Sequence, residues 1–148
     1  MIWFEPLDVN NWLKVCGLSV DDEQKEIFPI ENIYWIGISR YAENTDLFAV
    51  KRNNVYVGLI GGGYGEDGIS GYINPLMIDQ RYQRNGYGKQ ATLLMITYLR
   101  EQLRVTRINL GHRKVNEVAG RLYESLGFRI IEDHGARYYR QLDLMKRG

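Results

Sequence analysis

"YQRNGYGKQA", residues 82–91, is the stretch on which the reading of this chain turns. An asparagine and two glycines, bracketed by Arg84 and Lys89, stand just where a helix is expected to begin. Three readings compete: a turn entering a helix, a nucleotide loop, or a grip on some other phosphate. Upstream, "SGYINPLMID" (residues 70–79) reads as a strand. Downstream, "KQATLLMITYLREQL" spaces Ala91, Leu94, Met95, Tyr98 and Leu99 along one helical face. The loop therefore joins a strand to a helix. Backbone N–H groups there lack partners, and the helix dipole adds partial positive charge. Gly86 and Gly88 let the chain bend sharply and a ligand come close to the backbone, so phosphate is the natural guest.

The familiar nucleotide loops do not fit. A P-loop needs glycine where Gln83 stands and Ser or Thr where Gln90 follows Lys89. A dinucleotide fingerprint has its third glycine at the position of Ala91, a weak objection, since alanine is sometimes allowed there. It also needs a long run of parallel strands, and the rest of the chain is too short and too rich in hairpins.

Outward from the loop, "TRINLGH" (residues 106–112) is a strand following a crossover helix, so it should lie parallel to the strand before the loop. "VNEVAGRLYESL" places Val115, Val118, Ala119, Leu122, Tyr123 and Leu126 at amphipathic spacing, and Gly127 ends that helix. "FRIIEDH" and "ARYYRQLDL" make a closing hairpin. Earlier, two β-rich runs flank Asn53-Asn54, a pair that tolerates a tight turn. The glycines at 61–63 precede another strand rather than a helix, so they mark a bulge or a close backbone approach. Residues 2–7 read as a first strand, with Asp8 or Asn10 capping a helix through Trp12, Leu13 and Cys16. Residues 19–45 read as one or two short helices with loops. The expected class is α+β: a mixed, mostly antiparallel sheet with one central parallel pair and helices on its faces.

A length of 148 residues suits one domain with a real core. Apolar content of 45% and charged content of 25% are those of ordinary globular proteins, which argues against disorder. A lone cysteine, Cys16, makes no internal disulfide and reads as a structural thiol. With no signal-like start and no apolar run of spanning length, the expectation is a cytoplasmic protein without a membrane partner. A net charge of +1 gives no bulk attraction to nucleic acid. Residues 1–78 hold 5 basic against 11 acidic side chains, and residues 79–148 hold 14 against 7. That asymmetry fits an anionic ligand on the second half and a cationic one on the first. Two histidines and one cysteine show no metal-ligand spacing, so no metal is expected.

The pattern Gln83-x-x-Gly86-x-Gly88 and the later "VNEVAGRLYESLGF" resemble the GNAT superfamily of acyl-CoA-dependent N-acyltransferases, over residues 47–143 above all. Within it, "MIDQRYQRNGYGKQA" and, more faintly, "EQKEIFPIEN" are similar to bacterial spermidine/spermine acetyltransferases, though Arg84-Asn85 replaces the Gly-Lys commoner there. The resemblance implies that the parallel pair splays apart and that acetyl-CoA is the co-substrate. Its pyrophosphate would lie on the amides of Gln83, Arg84, Asn85, Gly86, Tyr87, Gly88 and Lys89, with Arg84 and Lys89 adding charge. Its pantetheine arm would follow Leu76, Met77 and Ile78, and an N–H near Met77 would polarise the thioester carbonyl. Asn116 and Ala119 would touch the same arm, and Asn116 also reads as a helix cap. Tyr123 would protonate or hydrogen-bond the leaving sulfur as the principal catalytic side chain.

The implied acceptor is a small-molecule amine, a polyamine or diamine, attacked directly without an acyl-enzyme. An aminoglycoside, an amino acid or a protein amine remains open, as does a non-catalytic acyl-CoA-binding module. An alkylamine of pKa about 10.4 is roughly one part in a thousand neutral near pH 7, a handicap of about 4 kcal/mol. Where some relatives carry an acid, this chain has Asn74, which cannot serve as the base. Glu31, Glu66, Asp67 and His112 are the candidates in its place. Glu31, Trp35 and Asn74 are expected to touch the acceptor, with Tyr34 and Tyr41 beside Trp35. By analogy with relatives, a homodimer is expected.

Overall fold

Asn53, at φ 54°, turns the chain between the two β-rich runs, as the Asn-Asn pair leads one to expect. The runs become β2 (Asp46–Arg52) and β3 (Val55–Tyr64), paired antiparallel in a computed structural model that describes residues 1–20, 32–41 and 45–145. Before them come β1 (Trp3–Pro6), α1 (Trp12–Cys16) and α2 (Asn32–Tyr41). After them come β4 (Gly71–Ile78), α3 (Tyr87–Gln102), β5 (Arg107–Arg113), α4 (Glu117–Ser125), β6 (Arg129–His134) and β7 (Arg137–Asp143). Among the described residues the strands form one seven-stranded sheet in the order β1-β2-β3-β4-β5-β7-β6, and β4–β5 is its one parallel pair. No helix among them is long and apolar enough to cross a membrane.

Leu59 and Ile60 are neighbours on β3 and so point to opposite faces. Leu59 joins Val15, Leu18, Ala49 and Met77 beneath α1 and α2. Ile60 joins Met95, Leu99, Ile108, Tyr123 and Phe128 beneath α3 and α4. Helices thus cover both faces, and the α+β class read from the sequence holds. The helix faces need correction in detail. On α3, Thr92 and Ile96 are buried with Ala91, Met95 and Leu99, whereas Leu94 stands at the exposed edge. On α4, Val115 and Val118 are exposed: Asn116 is the N-cap, which leaves Val115 outside the helix, and the buried strip narrows to Gly120 and Tyr123.

The position of the site depends on an irregularity in β4. β3 and β4 pair at Gly58–Ile78, Leu59–Met77 and Ile60–Leu76, and then again at Gly62–Ile73. Between these, Asn74 and Pro75 stand opposite Gly61 alone, a bulge of two residues against one. Pro75 has no N–H to give a ladder, so a broken register suits it. The bulge reverses the side-chain alternation. Ile73 and Met77, four residues apart, would share a face in a regular strand, yet they lie in the two opposite clusters. Gly61 supplies the room, because a Cβ there would lie 2.8 Å from the Asn74 oxygen and 2.9 Å from Pro75 Cδ.

β4 and β5 are in register only at Gly71–Ile108 and Tyr72–Asn109. Past that point β4 stays with β3, while β5 follows β7 as far as Arg113, so the two parallel strands part. Filling the bulge should disturb this arrangement. Gly61→Ala is expected to destabilise the fold by about 1–3 kcal/mol through overpacking. Urea unfolding should show the loss as a lower midpoint at unchanged slope, and an unchanged midpoint would disprove the close approach.

Candidate active site

The open edge of β4 sets the geometry. The Asp79 amide donates to the Val57 carbonyl at 2.8 Å. In an antiparallel ladder such bonds recur at alternate residues, so the Met77 amide turns to its partner Leu59, and the amides of Leu76 and Ile78 turn to the open side. From that side Gln83 Nε2 donates to the Ile78 carbonyl at 2.8 Å, as this alternation requires. The Met77 side chain is buried on the other face, its sulfur 3.8 Å from Asn32 Nδ2. The amide facing the gap is therefore not Met77's but that of Leu76 or Ile78. The bulge, which the glycines at 61–63 announced on β3 without showing its effect on β4, makes the difference.

At the end of this edge, Asp79 fastens the loop to Ser19, in the segment that follows α1. Its Oδ1 accepts from the Arg81 amide at 3.0 Å and Nε at 2.8 Å, and its Oδ2 accepts from the Ser19 amide at 2.9 Å. Burial pushes its pKa up, but these donors outweigh burial and hold the carboxyl below its usual value. After a single 3₁₀ turn at Gln80–Tyr82, Arg84 takes φ 66° and Gly86 φ 78°, while Asn85 between them is not left-handed. Left-handed residues in such a turn can aim neighbouring amides to one side, as anion-binding turns do. Asn85 Nδ2 braces the loop by donating to the carbonyls of Tyr82 and Gln83, at 3.0 and 3.2 Å. Gly86 is the N-cap of α3 and brings no side chain to its first amides. The left-handed arginine has no signature in the sequence.

Leu76, Tyr87, Ala119 and Leu122 pack against the cluster that contains Tyr123, and a Cβ on Gly88 would meet Leu122 at 3.9 Å. Leu76 of β4, Tyr87 at the start of α3, and Ala119 and Leu122 of α4 thus border one and the same cluster. Asn116 Oδ1 caps α4 by accepting from the Ala119 amide at 3.2 Å. At the other end, the Phe128 amide donates to the Tyr123 carbonyl and the Gly127 amide to the Glu124 carbonyl, both at 3.0 Å, with Gly127 at φ 96°. This is a Schellman ending with an aromatic contact, Phe128 lying 5.8 Å from the Tyr123 ring. Tyr123 is 8% exposed, and burial raises its pKa to about 12. Among the described residues its hydroxyl has no hydrogen-bond partner, and its oxygen is not sealed off.

His112 is a different kind of group from the base first considered. Its Nδ1 lies 2.9 Å from the Arg113 carbonyl, and its Nε2 accepts from Arg140 Nε at 2.9 Å. Both nitrogens are committed in the neutral ring. Burial, aided by the charges of Arg140 and Arg137, outweighs the Arg113 carbonyl and lowers its pKa. It has no lone pair to offer a substrate. Asp67 is likewise engaged, accepting from the amides of Ile69 and Ser70 and from the Ser70 hydroxyl. Asn74 is exposed on the bulge. Trp35 packs on the opposite face, in the Met77 cluster, with a buried indole N–H that has no partner among the described residues. Glu31 lies outside the described residues, as does the "EQKEIFPIE" part of the earlier stretch.

A gap between parting parallel strands, with the open start of a helix at one end, is the outcome of this geometry. Residues 7–128 match the Acetyltransferase (GNAT) family, and the chain belongs to it. It is an N-acetyltransferase of that family. No curated protein matches it by sequence. Solved structures share its fold at low identity. An acetyltransferase from Thermus thermophilus superposes with TM-score 0.79 at 17% identity, covering 97% of either chain. The spermidine N-acetyltransferase from Vibrio cholerae, in complex with CoA and spermine, gives 0.78 at 15%, covering 98% of this chain and 96% of its own. The Campylobacter jejuni N-acetyltransferase PseH with acetyl coenzyme A gives 0.72 at 18%, covering 97% and 99%.

The unbonded hydroxyl separates a site tyrosine from a core one. Tyr123→Phe removes no protein hydrogen bond and should change unfolding free energy by less than about 0.5 kcal/mol. A loss of about 1 kcal/mol or more in a urea titration would mean that the hydroxyl is held by the fold after all.

Proposed function

We propose that this protein transfers the acetyl group of acetyl-CoA directly to a primary amine, with a polyamine or diamine as acceptor. The proposal is carried by Tyr123's hydroxyl, which has no partner among the described residues, on a helix that borders the same cluster as Leu76 of β4 and Tyr87 of α3. Acetyl-CoA supplies an activated thioester and a diphosphate tail. The alternating amides of residues 83–89 suit the tail, with exposed Arg84 and Lys89 at the rim. The outward amide of Ile78 suits the amide-bearing arm, and Asn116 and Ala119 at the capped end of α4 would touch the same arm.

In the reaction the amine's lone pair forms the N–C bond at the thioester carbonyl and the C–S bond breaks. Leu76's N–H stabilises the charge developing on the carbonyl oxygen. The Tyr123 phenol gives its proton to the departing sulfur, and the ammonium proton leaves through solvent or an acceptor-side carboxylate. Cys16 lies on α1, which packs on the opposite face, so no acyl-enzyme is required.

The acceptor assignment rests on three supports. The first 78 residues carry an acidic excess, the loop sequence resembles polyamine acetyltransferases, and one structural neighbour is a spermidine N-acetyltransferase. Free thiol released from acetyl-CoA should appear with spermidine, spermine or putrescine, and not with an aminoglycoside or a lysine peptide. Turnover on the latter two instead would move the acceptor and keep the chemistry. CoA binding without turnover on any amine would make the protein a non-catalytic module.

With a working acceptor, Tyr123→Phe should lower kcat by about a hundredfold, the low end for a general acid whose leaving thiol departs readily. The pH profile carries a sign. A pKa raised to about 12 keeps the phenol protonated, so kcat/KM should rise as the amine deprotonates and show no falling limb before that region. A falling limb near pH 8–9 that vanishes in Tyr123→Phe would mean that the phenol titrates there rather than near 12, and one that persists would belong to another group.

A further inference from the structure

We propose that Arg140 is a positioning residue for the reaction, a single guanidinium that clamps both walls of the slot holding Tyr123. The inference rests on the acetyl-transfer reading above. Because Tyr123's hydroxyl has no partner among the described residues, only the packing of its ring fixes where that hydroxyl points. Two rings flank it: Phe128 at 5.8 Å and His112 at 5.9 Å. Arg140 reaches both flanks. Its Nη1 donates to the Phe128 carbonyl at 3.0 Å, and its Nε donates to His112 Nε2 at 2.9 Å. The Phe128 amide in turn closes α4 on the Tyr123 carbonyl. His112, pinned at its other nitrogen by the Arg113 carbonyl, cannot rotate away.

Two features say that this clamp is not kept for stability. Arg140 is 7% exposed and, among the described residues, makes no ion pair. A buried cation without a counter-ion is an expensive way to fill a core, and an apolar side chain of similar volume is often tolerated there. Gly120 stands in the middle of α4, where glycine disfavours a helix. A Cβ there would come within 3.3 Å of His112 Cε1 and 3.6 Å of Arg140 Nη2. The helix carrying Tyr123 is thus seated directly on the His112–Arg140 pair. A displacement of the reacting group by an ångström is enough to cost about a hundredfold in rate.

The test is a double-mutant cycle on thiol release, comparing wild type, Tyr123→Phe, Arg140→Met and the double variant, with the Tm of each. Arg140→Met is expected to lose about tenfold or more in kcat, with KM for acetyl-CoA and amine within about twofold. The double variant should fall no more than about twofold below Tyr123→Phe alone, because the clamp acts only through Tyr123. Multiplied losses in the double variant, or a loss confined to KM, overturn the proposal. So does a lowered Tm with kcat of the folded protein unchanged. Should Arg140→Met fail to fold, His112→Leu and His112→Gln decide. Glutamine keeps an acceptor for Arg140 and a donor for Arg113, and should recover most of the kcat that leucine loses; equal losses overturn the clamp. Wild type without turnover on any amine removes the acetyl-transfer reading and this inference with it. Wild-type turnover with multiplied losses removes the inference alone.

Discussion

The bulge at Asn74-Pro75 is the constraint from which the rest of the site follows. It breaks the β3–β4 register where Gly61 leaves room for two residues opposite one. Three consequences come from this one irregularity. The extra residue bends and twists β4, as bulges do, and β4 leaves β5 after two paired residues. The side-chain alternation reverses, so Leu76 joins the α3/α4 face and Met77 the α1/α2 face. The backbone alternation is reset with it, and this decides which amides look into the gap. A regular strand in the same place would pair fully with β5 and leave no backbone for a ligand.

The parts of the fold legible in the sequence are those fixed by local periodicity. α3, the Asn53 hairpin, the C′ glycine at 127 and the parallel crossover follow from spacing and turn chemistry, and they stand where those signals put them. The Gln83–Gly88 spacing likewise exposed the loop. What remained hidden depends on contacts distant in sequence. The offset from Met77 to Leu76 or Ile78 needs the bulge, and the bulge needs Gly61, more than ten residues earlier. His112 stood among the candidate bases because nothing near it in the sequence announces Arg140, 28 positions on, as the donor to its Nε2. Val115 and Val118 matched the amphipathic template, but the template cannot tell how wide a strip the sheet covers. Gly120 was the missed signal: a glycine inside a strongly helical pattern marks a close approach, and here it marks the His112–Arg140 pair.

Unused bonding capacity sorts the polar groups of the site into two kinds. Asp79 and His112 each tie one element to another, while Asn116 and Asn85 brace the helix start and the loop in which they stand. In His112 both ring nitrogens are taken, and it is left to hold rather than to react. The Tyr123 hydroxyl, the outward amides of β4 and the first amides of α3 are left without a side-chain or strand partner among the described residues. Unpartnered polar groups inside a fold are costly, so a fold that leaves several has a reason other than stability. They belong to the start of α3, the open edge of β4 and a phenol kept protonated by burial. That set suits a carrier with a charged tail and a thiolate to be discharged at its other end. The chemistry of this site can therefore be read from what the fold leaves unbonded, and its precision from what the fold bonds twice.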